Sequence, residues 1–201
     1  MGAPVSGPPD RDLLPLIAAG DREAFATLYR RYRDVVFRFA LQMSGSDIIA
    51  QDVTQDVFLA MMYQADRYDP TRASVSTYLY GMARHMARRR LRRERRFVAL
   101  DHDSEAGSSE PVEPASALDD VVKQQHITCV RRAVVSLPSR YREVVILCDL
   151  HGHSYAETAA IVGCAIGTVR SRLHRGRSLL HDKLEALNQP GWYQPARCCT
   201  P

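Results

Sequence analysis

From Gly167 to Arg177 the sequence reads GTVRSRLHRGR, four arginines and no acid. Guanidinium groups set this closely suit bidentate hydrogen bonding to phosphate oxygens and to guanine edges. A denser set runs from Arg84 to Arg96 (RHMARRRLRRERR), with eight Arg and one Glu, so 8 − 1 = +7. Between the two, Asp101 to Asp120 holds seven acids and no Lys or Arg, so −7. Such blocks suggest two surfaces for a polyanion, separated by a segment that repels one. A solvated helix face and a plain tether are the simpler explanation for any one charge run taken alone.

Other chemistry is thinly represented. Cys148, His151 and His153 are ligand types at close spacing, but no obvious fourth ligand lies nearby in sequence, so no metal site is expected. Cys129, Cys148 and Cys164 fall within or beside helical patterns and read as apolar fillers in a reducing compartment, while Cys198 and Cys199 belong to a Pro- and Gly-containing tail. There is no nucleophile motif, phosphate-binding glycine loop or metal-carboxylate spacing, so the expectation is a non-enzyme with no catalytic residue and no cofactor. The 201 residues carry 27 Lys+Arg against 23 Asp+Glu, a net +4, with 45% hydrophobic and 25% charged residues, an ordinary globular balance. Every apolar run stops short of a membrane span, and Met1 to Asp10 lacks the basic start and apolar stretch of a secretory signal. The expected location is cytoplasmic, without membrane contact of its own.

The elements that must position the arginines are helical. Asp21 is placed to cap a helix carrying Phe25, Leu28, Tyr29, Tyr32, Val36, Phe39, Ala40 and Met43 at spacings of three and four, ended by Gly45. Ser46 or Asp47 starts the next, to about Gln64. Tyr68-Asp69-Pro70 breaks the pattern, and a third helix carries Tyr78, Leu79, Met82, Ala83 and Met86 into the arginine run. No window alternates long enough to require a strand. Residues 97–117 have linker composition and at about 3.3 Å per residue reach up to roughly 70 Å, about two turns of B-DNA. Helical pattern resumes from Leu118 to Ser136, again from Ser139 to about Leu150, and then at Ser154, where Ser154 and Glu157 form a capping box. That short helix ends at Gly163, and a further helix runs from near Gly167 to about Leu187, which is the helix-turn-helix arrangement.

At 100° per residue, Val169, Leu173, Gly176, Leu180, Leu184 and Leu187 share the buried face of the last helix. Thr168, Ser171, Arg172 and Arg175 lie on the outward arc, and Arg170 and Arg177 flank the apolar stripe from the other edge. An outward arc of donors with cations at its margins is what reading base edges and holding phosphates requires, and it favours DNA binding over an ordinary amphipathic helix.

The segments Leu137-Pro138-Ser139-Arg140-Tyr141-Arg142-Glu143-Val144, Ser154-Tyr155-Ala156-Glu157 and Gly167-Thr168-Val169-Arg170-Ser171-Arg172-Leu173-His174-Arg175 resemble region 4 of bacterial sigma factors, most of all the extracytoplasmic-function (ECF) group. Ala50-Gln51-Asp52-Val53-Thr54-Gln55-Asp56-Val57-Phe58, Arg67-Tyr68-Asp69-Pro70 and Tyr78-Leu79-Tyr80-Gly81-Met82-Ala83-Arg84 are similar to region 2 of that family. The resemblance implies an all-α chain. Residues 1–9 are a disordered N-terminus, 10–96 the polymerase-docking and −10 domain, 97–117 an acidic linker, 118–187 the −35 domain and 188–201 a tail.

It further implies that Asp52, Gln55 and Asp56 dock on the β′ coiled coil of core RNA polymerase. Ser74, Ser76, Thr77 and Tyr78 would hold an unstacked base of the −10 element, with Arg84 and Arg88 on backbone phosphate. Members of the family usually carry Trp where Tyr78 stands and Asn where His85 stands; Tyr keeps a stacking face. Thr168, Arg170, Ser171, Arg172, Arg175 and Arg177 would engage the −35 element of promoter DNA. Core polymerase, through its β′ and β subunits, promoter DNA and an anti-sigma factor are the implied partners, and the linker would follow the polymerase's RNA-exit path. Two other readings stand beside this one: a helix-turn-helix regulator that never meets polymerase, and a nucleic-acid-processing enzyme using the Arg84–Arg96 run.

Overall fold

Local chemistry starts and stops the helices of the first half. In the computed structural model, which describes residues 8–100 and 118–188, α1 (Asp10–Ala18) precedes α2 (Arg22–Ser44). The Asp21 carboxylate accepts from the backbone N–H groups of Glu23 and Ala24, satisfying two of the donors that open α2. Gly45 ends α2 in the left-handed region (φ 75°), where a side chain would be strained, and Ser46 then caps α3 (Asp47–Gln64) through the Ile49 N–H. A 3₁₀ turn (Ala65–Arg67) and the Asp69–Pro70 break lead to α4 (Val75–Leu100). This helix runs through residues 97–100, which the composition had assigned to the linker. Leu28, Phe39 and Met43 of α2, Val53, Val57 and Met61 of α3 and Leu79, Ala83 and Ala87 of α4 fill one core, closed by Leu13 and Leu14 of α1.

The second half comprises α5 (Leu118–Val135), α6 (Ser139–Val145), a π turn (Ile146–Leu150), α7 (Tyr155–Val162) and α8 (Ile166–Asn188). All regular elements among the described residues are helical, in two groups, which is the architecture the sequence implies. Residues 101–117, the acidic stretch, and Cys198 and Cys199 lie outside the described residues. The Ser154–Glu157 capping box forms in full and Gly163 closes α7 at φ 72°. Gly176 lets α8 lie close against α6: a Cβ there would lie 2.8 Å from Val145 Cγ2.

The two halves pack together where α7 lies against α4 and α5 against α2, and two residues of α6 supply the charged links between them. Arg142, 6% exposed, donates to the Met43 carbonyl in the last turn of α2 (2.5 Å) and to the Val135 and Leu137 carbonyls. A buried cation thereby meets carbonyls that a helix end leaves without partners, where the helix dipole favours positive charge. The next residue, Glu143, turns the other way and accepts from Arg84 (2.8 Å) and Arg88 (3.4 Å) of α4. Where the π turn ends, His151 enters the first half. Its Nδ1 lies 2.6 Å from the Tyr80 hydroxyl and its Nε2 2.8 Å from Gln42 Oε1, with the Phe39 and Tyr80 rings edge-on around it. Burial pushes the Tyr80 phenol up, so it stays protonated and donates to Nδ1, while Nε2–H donates to Gln42. This arrangement fits the neutral imidazole. Burial, followed by the neighbouring His153 and Arg38, lowers the His151 pKa to about 4.

Two outcomes follow. Gly176→Ala gains helix propensity but must push Val145 aside in a close-packed seam, and overpacking of this kind costs about 1–3 kcal/mol. Its Tm falls by about 2–4 °C for each kcal/mol lost, and Val145→Ala in the same chain recovers most of that loss in a double-mutant cycle. The second concerns pH. The groups facing His151 are Tyr80, Gln42, Arg38 and His153, with Glu157 beside His153. Because the packed-state pKa lies below the ordinary 6.5, the His151 contribution is complete above pH 6.5 and is lost as pH falls from 6.5 toward 4. Between pH 7.5 and 5.5 the equilibrium for separating the two halves rises about tenfold, read as the change in distance between dyes placed on α2 and α8. His151→Gln flattens that dependence.

Candidate nucleic-acid interface

On α8 the buried face is as expected at its centre: Val169, Leu173 and Gly176 point inward, and Leu180 and Leu184 are half-buried. Ser171 and Arg175 are exposed on the outward arc, while Thr168 is half-buried at the start of the helix and accepts from the Ser171 hydroxyl through its backbone carbonyl (3.0 Å). Arg175 also reaches the Tyr141 hydroxyl, and that hydrogen bond, ahead of the charge of nearby Arg140, lowers the phenol's pKa. Arg172 behaves differently. It turns toward Glu143, 3.8 Å away, and joins Arg84 and Arg88 around one carboxylate that is 1% exposed. On the opposite edge, Arg170 lies over the Tyr155 ring of α7 at 5.8 Å, and Arg177 makes a two-toothed pair with Asp149 (2.6 and 3.1 Å). That edge is therefore a set of paired cations, held to the surface of the helix-turn-helix.

The −10 candidates divide the same way. Ser74 Oγ accepts from the Thr77 N–H (3.1 Å) and donates to Thr77 Oγ1 (2.9 Å), capping α4, and Thr77 is buried. These two hydroxyls shape the start of the helix and are committed to each other. Ser76 and Tyr78 are half-buried; the Tyr78 ring lies 5.5 Å from that of Tyr68, whose hydroxyl donates to the Ala73 carbonyl. Asp69 folds the preceding loop by accepting from Thr71 N–H (2.9 Å) and Oγ1 (2.6 Å), which lower its pKa. An aromatic pair on a braced loop is thus placed beside the basic helix. His85 is exposed in an open groove lined by Arg84, Arg88, Arg89, Arg92 and Arg93.

The third constellation is on α3. Gln55 is exposed, and Asp52 and Asp56, four residues apart, are both held by Arg90 of α4, Nη1 to Asp52 at 2.5 Å and Nη2 to Asp56 at 2.6 Å. Sequence reasoning found the acids but neither their partner nor the apolar company they keep. Ile48, Leu59, Met62 and Tyr63 fall within the same arc of about 120° as Asp52, Gln55 and Asp56, at 100° per residue. Ile48 is 72% and Tyr63 79% exposed, unusual for side chains of this size, and they stand at the two ends of the arc with the acids between them. The signal was present: these apolar positions fall off the stripe of Ile49, Ala50, Val53, Val57 and Met61 that the core uses.

The cysteine–histidine group does not converge. Cys148 Sγ meets Thr158 Oγ1 (3.3 Å) and burial raises its pKa, while His151 is engaged by Tyr80 and Gln42. His153 packs edge-on against the Tyr80 ring (4.4 Å). Among the described residues no three His, Cys, Asp or Glu side chains are grouped to hold a metal ion, and no described helix is long and apolar enough to cross a membrane.

Comparison with known proteins accounts for both halves. Residues 28–97 match sigma-70 region 2 and residues 127–180 match sigma-70, region 4. The ECF RNA polymerase sigma factor SigM of Mycobacterium tuberculosis is 35% identical over 182 residues, 89% of this chain and 86% of that protein. The ECF RNA polymerase sigma factor SigE of Mycolicibacterium smegmatis is 33% identical over 172 residues, 83% of this chain but 65% of that longer relative. Among solved structures, the sigma factor RpoE of Bartonella quintana, in complex with the anti-sigma factor NepR, superposes with a TM-score of 0.65 at 27% identity, covering 82% of this chain and 98% of that one. Region 2 is followed by region 4 in this chain, and the chain belongs to the ECF group of sigma-70 family RNA polymerase sigma factors, which are transcription initiation factors.

Proposed function

We propose that this chain directs core RNA polymerase to promoters with a −10 and a −35 element. The observation that carries the reading is the separation of chemistries over the two family regions. Donors face outward on α8, an aromatic pair sits at the start of α4 with a basic groove further along the same helix, and an acidic and apolar arc runs along α3. Ser171, Arg172 and Arg175, with Thr168 at the helix start, would read base edges of the −35 element, and Arg170 and Arg177 would lie along its phosphates. Tyr78 would offer its ring to an unstacked −10 base, Ser76 and His85 would contact the same segment, and Arg84 and Arg88 would hold the backbone. Ser74 and Thr77 would contribute by fixing the α4 start. Asp52, Gln55 and Asp56, with Ile48 and Tyr63 at the ends of the arc, would meet the polymerase.

The packed arrangement is read as a resting state. Arg84, Arg88 and Arg172, drawn from both DNA-facing regions, converge on Glu143, so a phosphate must replace a carboxylate before they can serve DNA. The 17 residues between α4 and α5 (101–117) could span up to roughly 55 Å at about 3.3 Å per residue, enough to let the halves separate by about one and a half turns of B-DNA. An anti-sigma factor, as found bound to the Bartonella relative, would act by favouring the packed form, and the setting for all of this would be the cytoplasm. The chain would itself carry no catalysis.

Run-off transcription with reconstituted core polymerase tests the assignments. Arg175→Ala lowers output from a promoter that depends on its −35 element by about 10-fold, the size of one good base contact, with core binding unchanged. Unaltered −35-dependent output would remove Arg175 from the reading surface, and failure to bind core polymerase at all would favour a conventional regulator. Glu143→Gln leaves three guanidinium groups short of their counter-charge, so the free protein binds non-specific duplex several-fold more tightly, by fluorescence anisotropy at low salt, and unfolds at a lower temperature. Equal DNA binding by the two proteins would mean that the seam does not withhold the arginines.

A further inference from the structure

The pairing of Arg90 with Asp52 and Asp56 has no place in the packing between the two halves, nor in the basic groove, and it sits on the surface assigned to polymerase. Two carboxylates four residues apart on a helix repel each other, and Arg90 resolves this by giving one Nη group to each. The guanidinium hydrogen bond with Asp56 and the charges of both acids raise its pKa. All three side chains remain 36–45% exposed, so the triad lies where an incoming partner would land. With Arg90 in place the triad carries −1; without it the same spot would carry −2.

We infer that Arg90 is a built-in competitor for the docking acids, occupying in the free chain the place that a cationic side chain of the polymerase takes in the complex. The inference rests on the reading of the α3 arc as the docking surface. Ion pairs with this exposure are worth little to the fold, so exchanging one guanidinium for another is close to neutral. The net gain must come from the apolar ends of the arc, Ile48 and Tyr63, which Arg90 does not cover. A small basic ligand would therefore gain little by displacing Arg90, whereas a helical surface with a cation between apolar residues would. Arg90 acts through the acids, as a specificity-setting residue that screens the docking patch against casual cations.

The test compares Arg90→Gln and Arg90→Lys with the unaltered chain, each titrated into core polymerase over a range of salt concentrations. Competition predicts that Arg90→Gln binds about three- to ten-fold more tightly at low salt, with a steeper loss of affinity as salt rises, because two bare carboxylates meet the partner. Arg90→Lys restores most of the original affinity and slope. Weaker binding by Arg90→Gln, with an unchanged salt slope and a lowered Tm, would make Arg90 a brace between α3 and α4 and overturn the inference. Tyr63→Asp separates this from failure of the docking reading: it weakens core binding if the arc docks, and if it leaves binding unaltered the arc itself is misassigned, which overturns both.

Discussion

A carboxylate taken out of water is costly unless cations surround it, and Glu143, buried between α4, α6 and α8, imposes that requirement on its neighbourhood. Arg84 and Arg88 must turn toward it from one half of the molecule and Arg172 from the other. The preceding residue, Arg142, is buried facing the opposite way, against the carbonyls at the end of α2. Two consecutive residues of a seven-residue helix thus fasten the halves with opposite charges in opposite directions. The geometry of Arg84, Arg88 and Arg172 is a consequence of satisfying this carboxylate. In the packed chain the anion that these three guanidinium groups share is the protein's own carboxylate.

Much of the local structure was legible. Asp21, Ser46, Gly45, the Ser154–Glu157 box and Gly163 each act within a few residues of themselves, so reading them needs no knowledge of the fold. The buried stripe of α8 likewise follows from helical phase alone. Long-range pairing was not legible. The block from Arg84 to Arg96 sums to +7, but a sum does not say which of those charges has a partner; Arg84, Arg88 and Arg90 prove to face acids 59, 55 and 34–38 residues away. Arg177 was placed correctly at the edge of α8, yet its pairing with Asp149 depends on how the π turn meets that helix. Thr77 shows the same limit on a smaller scale: a hydroxyl near a loop reads as available until the cap it completes is seen.

The apolar arc of α3 is instructive for a different reason. The hydrophobic pattern there is too wide for one buried face, and a pattern of that kind describes a helix with two clients. One is the core of the first half; the other stripe, with Ile48 and Tyr63, is left open to solvent. The carboxylates within the second stripe act over longer distances than the apolar contacts beside them can.

The π turn at Ile146–Leu150 holds one residue more than an α-helical turn would, with the His151 N–H reaching back five residues to the Ile146 carbonyl. That extra residue sets the phase between α6, which carries the Arg142–Glu143 pair, and the segment that delivers His151 and then the helix-turn-helix. Losing it would rotate everything downstream by about 100° and carry His151 out of register with Tyr80 and Gln42, while leaving the caps, the turn and the α8 stripe intact. A single-residue deletion at this point is therefore a gear change: it would shift both the junction between the halves and the seat of α8 on α6, so this one turn sets the register of the second half internally as well as against the first.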